Sequence, residues 1–354
     1  MVQKIMMEET DMSTFENEKT SSSLIRPVPQ KEPTAGQLEQ IGRKFGAFLH
    51  FGVNTFGNTE WSDGGIHARS YRPTAVDADQ WIKTVYEAGM NFVILITKHH
   101  DGFCLWETDT TQYSVKYSGN PTDVVAQVAA ACKKYGIKLG LYYSLWDRSA
   151  DEYKNDFENR YVPYMLKQLT ELMDGRYGDI VELWLDGAWD KPRKLWQLDK
   201  VYDHVKRLQP GCQIGVNHTV GVDTGLAEFP DDNYRPYNCR ENDPLRMFPS
   251  DFRLWDPYPC KKNDPKIYTF EGESYYLPFE MTICSREGFS WFYSNCYEER
   301  PLMDIDETVE KCRLAFAESN VAVINLPPST EGRIIQSDID HLMEISRRLG
   351  VNRV

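Results

Sequence analysis

The sequence predicts an α/β fold, a (β/α)8 TIM-like barrel, on three observations. After residue 36, short apolar runs alternate with amphipathic helical patterns, giving roughly eight strand candidates. Polar and aromatic clusters sit at the carboxyl ends of successive strand candidates, the edge that carries ligand sites in sheets of parallel strands. The chain has 354 residues, of which 41% are hydrophobic, enough for a sizeable core. The second half is less regular, which leaves a doubly wound open sheet as the alternative.

Residues 1–36 read as a polar N-terminal tail and linker, ending in the Pro-rich Arg26-Pro27-Val28-Pro29, and residues 37–354 as a single domain. The first strand covers 45–52, and a long loop follows to about residue 75. Residues 77–88 form an amphipathic helix, closed by Gly89 as a C-cap. The second strand is 91–96; a helix starting at Pro121 runs to Tyr135 and stops at Gly136; the third strand is 137–144. A helix over 156–174 leads to a fourth strand, 180–185, that ends at Asp186-Gly187. A helix from Pro192 to Leu208 is stopped by Pro210-Gly211, and 212–216 is a fifth strand. Each unit has the length of a right-handed βα crossover.

Residues 218–265 are rich in Pro, Asp and Asn without a clear period, and a loop that long inside a compact domain is usually functional. Regular structure returns at 266–271, at 281–284 and in a helix over 308–319. Residues 320–326 are the last barrel strand, stopped by Pro327-Pro328, and 338–349 is a closing helix.

The formal net charge of −13 argues against nucleic acid and against an anionic membrane surface as partners. No stretch approaches the length of a transmembrane helix, so no membrane insertion is expected. The polar start shows no signal peptide, which makes the cytoplasm the default compartment, with the periplasm or secretion open if the natural start differs. The eight cysteines are scattered without a CxxC and read as mostly reduced core thiols; Cys239 with Cys260 is the pair to inspect for a bridge. Aromatics at 13% suit carbohydrate faces, although aromatic-heavy cores are common.

The chemistry gathers at the strand ends. Thr97, Lys98, His99, His100 and Asp101 follow the second strand and are too polar to be core filler. His50, Asn54, Glu60 and Trp61 follow the first; Tyr142, Tyr143 and Ser144 end the third; Trp184, Asp186 and Gly187 end the fourth. A lone His50 is more often a hydrogen-bonded core histidine, and the His99-His100 pair could be a capped strand end. Four aligned clusters are harder to explain structurally. Neighbouring strand residues face opposite sides, and there is no HExxH and no i, i+4 His pair, so no metal site is expected. Asp186 is the sharpest candidate, because an unpaired carboxylate after an apolar strand would be costly to bury. Its ordinary use would be as an N-cap, but Pro192 is a better helix start.

In order along the chain, these motifs resemble glycoside hydrolase family 29, the α-L-fucosidases. The resemblance rests on Phe-Gly-Ala-Phe-Leu-His-Phe-Gly at 45–52, Asn-Thr-Phe at 54–56, Glu60-Trp61, Lys-His-His-Asp-Gly-Phe-Cys-Leu-Trp at 98–106, Gly-Leu-Tyr-Tyr-Ser at 140–144 and Leu-Trp-Leu-Asp-Gly at 183–187. It resumes at Ser290-Trp291 and at 325–328. The resemblance implies a retaining, exo-acting hydrolase of terminal α-L-fucosyl residues, working by double displacement on a distorted barrel without a cofactor. Its partner would be a fucosylated oligosaccharide or glycoconjugate; the oligomeric state is left open. The variants Asn-Thr-Phe and Ser-Leu-Trp-Asp-Arg resemble the branch acting on α-1,3/1,4-linked fucose. Most members carry a C-terminal β-sandwich, which is not expected in this chain.

By the same resemblance, Asp186 is the nucleophile. His50, Glu60, His99, His100 and Tyr142 hydrogen-bond the sugar hydroxyls, and Trp61, Trp184 and Trp291 pack on its apolar side. A retaining enzyme needs a second carboxyl group to protonate the leaving oxygen. Glu273, in register with a Thr-Pro-Glu segment of the family, is the first choice for this acid/base; Glu271 and Glu280 are the alternatives. The chain departs from the family at His218, where an arginine is common, and at Phe292, which is expected to crowd the pocket wall. A retaining glycosidase for a related sugar such as α-L-galactose, or a sugar-binding homologue with impaired catalysis, are the competing readings.

Overall fold

The computed structural model describes residues 23–221 and 239–354; the first part of the expected tail and the middle of the long 218–265 loop lie outside the described residues. In chain order the strands are β1 (Phe45–Leu49), β2 (Phe92–Lys98), β3 (Lys138–Ser144), β4 (Ile180–Asp186), β5 (Gln213–Asn217), β6 (Phe252–Leu254), β7 (Ile267–Phe270), β8 (Glu273–Tyr276), β9 (Phe279–Cys284) and β10 (Val321–Asn325). All but β7 and β8 close into one parallel barrel in the order β1-β10-β9-β6-β5-β4-β3-β2. Closure runs through β1 and β10, where Phe45 pairs with Ala322 and Phe48 with Asn325, so the open-sheet alternative does not hold.

The helices follow the capping signals. Asp77 accepts from the Gln80 N–H and starts the helix Ala78–Glu87; Asp123 does the same for Val124–Tyr135, which ends at Gly136 in left-handed backbone. The helix expected over 156–174 is instead three pieces: Asp151–Asn155, a π turn at Phe157–Tyr161, and Val162–Met173. Pro163, which has no N–H to donate, lies at the start of the last piece. The strand expected at 266–271 forms, but as one arm of the antiparallel β7–β8 hairpin outside the ring. The sixth barrel strand is β6, three residues inside the loop-rich stretch.

The part of the tail that is described is docked. The Ile25 N–H donates to Asp203 and Arg26 pairs with Asp199 at 3.1 Å, ahead of a helix (Ala35–Arg43) held by a Thr34/Gln37 capping box. Cys239 and Cys260 are both free and buried, so the bridge is not formed. Among the described residues no helix is long and apolar enough to cross a membrane.

Strand alternation sorts the core into two layers. Phe48, Phe92, Ile94, Ile96, Tyr142, Trp184, Phe252, Leu254, Val321 and Val323 fill the barrel interior. The outward residues of the same strands pack under the helices. Large rings cross the interior because Gly46 and Gly215 face them: a Cβ at Gly46 would lie 2.4 Å from Phe92, and one at Gly215 would lie 2.5 Å from Phe252. Alternation also stacks Glu182, Trp184 and Asp186 along the inner face of β4, from the barrel interior to the mouth.

One irregularity sets the site. Ile96 pairs with Tyr142 but Lys98 pairs with Tyr143, so Thr97 is an extra residue, a bulge in β2. Beyond it the facing is reversed. Lys98 turns outward, fully buried, and donates to Tyr143 (2.9 Å), Asp147 (3.0 Å) and Gln168 (3.3 Å).

Candidate active site

A cavity of about 550 Å³ opens at the carboxyl end of the barrel strands. His50, Glu60, Trp61, His99, His100, Tyr142, Trp184, Asp186 and Trp291 line it, so the structure brings these expected site residues together. It adds Phe48, Trp189, Asn217, His218, Trp255 and Asp256. Phe48 packs on Trp184 at 5.6 Å between ring centres, and Tyr142 stacks on Trp184 at 5.5 Å. His218 lies between the planes of Trp189 and Trp255, 4.7 Å from each.

Asp186 accepts three hydrogen bonds. Its Oδ2 accepts from the Tyr142 hydroxyl (2.8 Å), and its Oδ1 accepts from Asn217 Nδ2 (2.9 Å) and the Gly187 N–H (2.8 Å). Burial pushes its pKa up to about 6, and these three donors hold it from rising further. Asn217 Oδ1 accepts from the backbone N–H of Asp256 (3.1 Å), so one amide ties Asp186 to the end of β6.

Asp256 is the second cavity carboxyl of this kind. Burial raises its pKa to about 7; the Thr282 hydroxyl that it accepts from opposes the rise, and the charge of Asp186 adds to it. Glu60 also rises to about 7 through burial, although it accepts from the Phe292 N–H (2.9 Å) and the Trp291 N–H (3.1 Å) and lies 3.7 Å from Arg300.

Burial drives the cavity histidines the other way: His50, His100 and His218 fall to about 3, and His99 falls well below the usual histidine range. All four are neutral near pH 7, and partners fix the tautomers of His50, His99 and His100. Asn325 Nδ2 donates to the Ser290 and Trp291 carbonyls, so its Oδ1 faces His50 Nδ1 at 2.7 Å and accepts a hydrogen bond from it. Ser144 Oγ donates to the Trp146 carbonyl and therefore accepts from His100 Nδ1 at 2.7 Å. Both rings keep a bare Nε2 as an acceptor. Asn54 Nδ2 donates to the Glu60 carbonyl and faces His99 Nδ1 at 3.4 Å, which leaves the proton of His99 on Nε2. The bare His100 Nε2 lies 3.7 Å from Asp186 Oδ2, so two acceptors face the same part of the cavity.

The family model for alpha-L-fucosidase matches residues 57–353. The chain belongs to the α-L-fucosidase family. It is 33% identical to Alpha-L-fucosidase 1 of Arabidopsis thaliana over 92% of this chain and 62% of that one, and 31% identical to a putative alpha-L-fucosidase 1 of Oryza sativa over 91% and 59%. It superimposes on the crystal structure of a putative alpha-L-fucosidase from Bacteroides ovatus with a TM-score of 0.70 at 30% identity, over 89% of this chain and 55% of that one. The chain thus spans about three fifths of the length of these curated relatives.

Within this α-L-fucosidase-family barrel, the expected acid/base residues fall elsewhere. Glu271 and Glu273 sit at the turn of the β7–β8 hairpin, exposed and off the cavity, because that hairpin lies outside the ring. Glu280 lies at the start of β9, buried in the barrel interior with Glu182, which pairs with Arg43 at 2.6 Å. Burial and the neighbouring Glu182 push the pKa of the Glu280 carboxyl well above the usual range, and the group lies away from the cavity. Phe292, expected to crowd the wall, stands behind it, edge-on to His50 (5.3 Å) and His99 (5.0 Å).

Lys98 and Asp101 also leave the pocket that the Lys98–Asp101 cluster suggested. His99 and His100, which should face opposite ways in a strand, lie past the end of β2 and both reach the cavity, with ring centres 4.2 Å apart. Among the described residues no group of three His, Cys, Asp or Glu side chains is arranged to hold a metal ion. Asp256 is not among the expected site residues, because the strand before it is too short for a period to show. The signal present is Leu254-Trp255-Asp256, an apolar run ending in Asp, as at Trp184-Leu185-Asp186.

Proposed function

We propose that this chain is a retaining, exo-acting α-L-fucosidase that hydrolyses terminal α-L-fucosyl residues of an oligosaccharide or glycoconjugate. Asp186 is the nucleophile and Asp256 the acid/base. The observation that carries this reading is a pair of buried carboxyls on one cavity, each within the other's electrostatic reach, with the nucleophile the more acidic. Between pH 6 and 7 the more acidic member is mostly ionised and the other mostly protonated.

In the first step an Asp186 oxygen bonds to the anomeric carbon, the glycosidic C–O bond breaks, and the Asp256 proton goes to the leaving oxygen. In the second, Asp256 takes a proton from water, the water oxygen bonds to the anomeric carbon, and the bond to Asp186 breaks. The sugar leaves with its anomeric configuration retained. Tyr142, Asn217 and the Gly187 N–H hold Asp186 in register.

His50 and His100 accept from sugar hydroxyls, while His99 donates. A sugar hydroxyl between His100 Nε2 and Asp186 Oδ2 donates its one proton to one of these two acceptors. Phe48, Trp184 and Trp291 offer apolar surface to the ring and its methyl group, and Trp61 stands at the rim, 46% exposed. Linkage to the 3- or 4-position rests on the sequence variants at 54–56 and 144–148.

The test is Asp186→Ala with an aryl α-L-fucoside. The variant loses turnover, and added azide restores it by forming a fucosyl azide. Near-normal activity without azide would remove Asp186 from the mechanism.

A further inference from the structure

A second, smaller cavity of about 210 Å³ adjoins the first beside Asp256. Thr282, whose hydroxyl donates to Asp256, lines it, as does Pro257, the next residue in the chain. Pro257 and Phe289 border both cavities and form the ridge between them. Phe289 is unusual on two counts. It is 64% exposed, and it holds a left-handed backbone at φ +55°, a conformation that a bulky side chain rarely adopts. A single exposed phenylalanine needs no explanation; one held in strained backbone at the lip of a catalytic cavity does.

The charges of the second cavity are already engaged. Arg286 pairs with Asp338 at 2.7 Å and Lys311 with Glu307 at 2.6 Å, while Glu287 adds an acid to the wall. An anionic ligand has no spare cation there. A neutral ring with an apolar face fits the surface that Phe289 offers beside Ile283.

On the reading proposed above, the leaving oxygen takes its proton from Asp256, so the group attached to it lies on the Asp256 side. That side leads over Pro257 and Phe289 into the second cavity. We infer that this is the leaving-group subsite, that it receives the neutral pyranose ring to which the terminal sugar is attached, and that Phe289 stacks on the C–H face of that ring.

The experiment compares kcat/KM for wild type and Phe289→Ala on two substrates: α-L-fucosyl fluoride, whose leaving group is too small to reach the ridge, and a neutral fucosylated disaccharide. The loss on the disaccharide should exceed the loss on the fluoride by roughly three- to tenfold. Phe289→Trp should recover the disaccharide rate. Equal losses on the two substrates, or no recovery with Trp, overturn the subsite. A wild type that leaves the fluoride intact overturns the fucosidase reading instead, so the two failures are distinct.

Discussion

Asp186 and Asp256 are the same side chain in different company. Asp186 receives three hydrogen bonds and settles at about 6; Asp256 receives one from Thr282, feels the charge of Asp186, and settles at about 7. The proposed mechanism needs the first ionised and the second protonated. Activity therefore rises with pH as Asp186 loses its proton and falls as Asp256 loses its own. The expected kcat/KM profile is a narrow bell with limbs near 6 and 7, both belonging to the coupled pair. Glu60 titrates near 7 as well, so Asp256→Asn separates the two. It should lose the alkaline limb and slow turnover of poor leaving groups by about 10²–10⁴-fold, with less effect on the fluoride. Wild-type activity that stays level well above pH 7 would remove Asp256. Asp186 was readable from sequence because a long apolar strand ends on it. Asp256, the acid/base of the proposal, lies in a stretch rich in proline and aspartate that hides it, and the expected glutamates sit on a hairpin or in the barrel interior.

At the level of elements, most of the barrel was legible because its strands are apolar runs and its helices carry caps. Where legibility failed, the cause was local. β6 has three residues, too few to show a period, and β7 has strand character without a place in the ring. The bulge at Thr97 could not be read either, since a strand pattern does not reveal where one residue is left unpaired. Its effect is to give Lys98 to the scaffold and His99 to the cavity. Lys98 is then a structural cation, buried against Asp147. Lys98→Met would leave that carboxylate without its cation and should cost about 3–5 kcal/mol, read by urea unfolding. A loss below about 1 kcal/mol would show that the pair is not needed.

For the whole molecule, the site is a burden on the fold. Asp256 moves from an ordinary 3.8 to about 7 on folding. The folded state therefore holds a proton that the unfolded chain gives up. Asp256 costs nothing below about pH 4, costs more as pH rises, and reaches its full cost above about 7. Asp256→Asn removes that cost. Relative to wild type, its stability should be close at pH 4 and higher by on the order of 2–4 kcal/mol at pH 8, visible as a higher Tm on the alkaline side only. A gain of equal size at both pH values would contradict the linkage.

The same burial has a consequence for how ligands arrive. Seen from solvent the molecule is a polyanion, with a formal charge of −13. Seen from inside the cavity between pH 6 and 7 the histidines have shed their protons and Asp256 keeps its own, so Asp186 supplies most of the charge. A neutral glycan approaches without being steered, whereas a sulfated or sialylated one is repelled by the outer field before it reaches the mouth. On the proposed function, selection against acidic glycans would begin at long range, in the outer field, before any residue of the pocket is met.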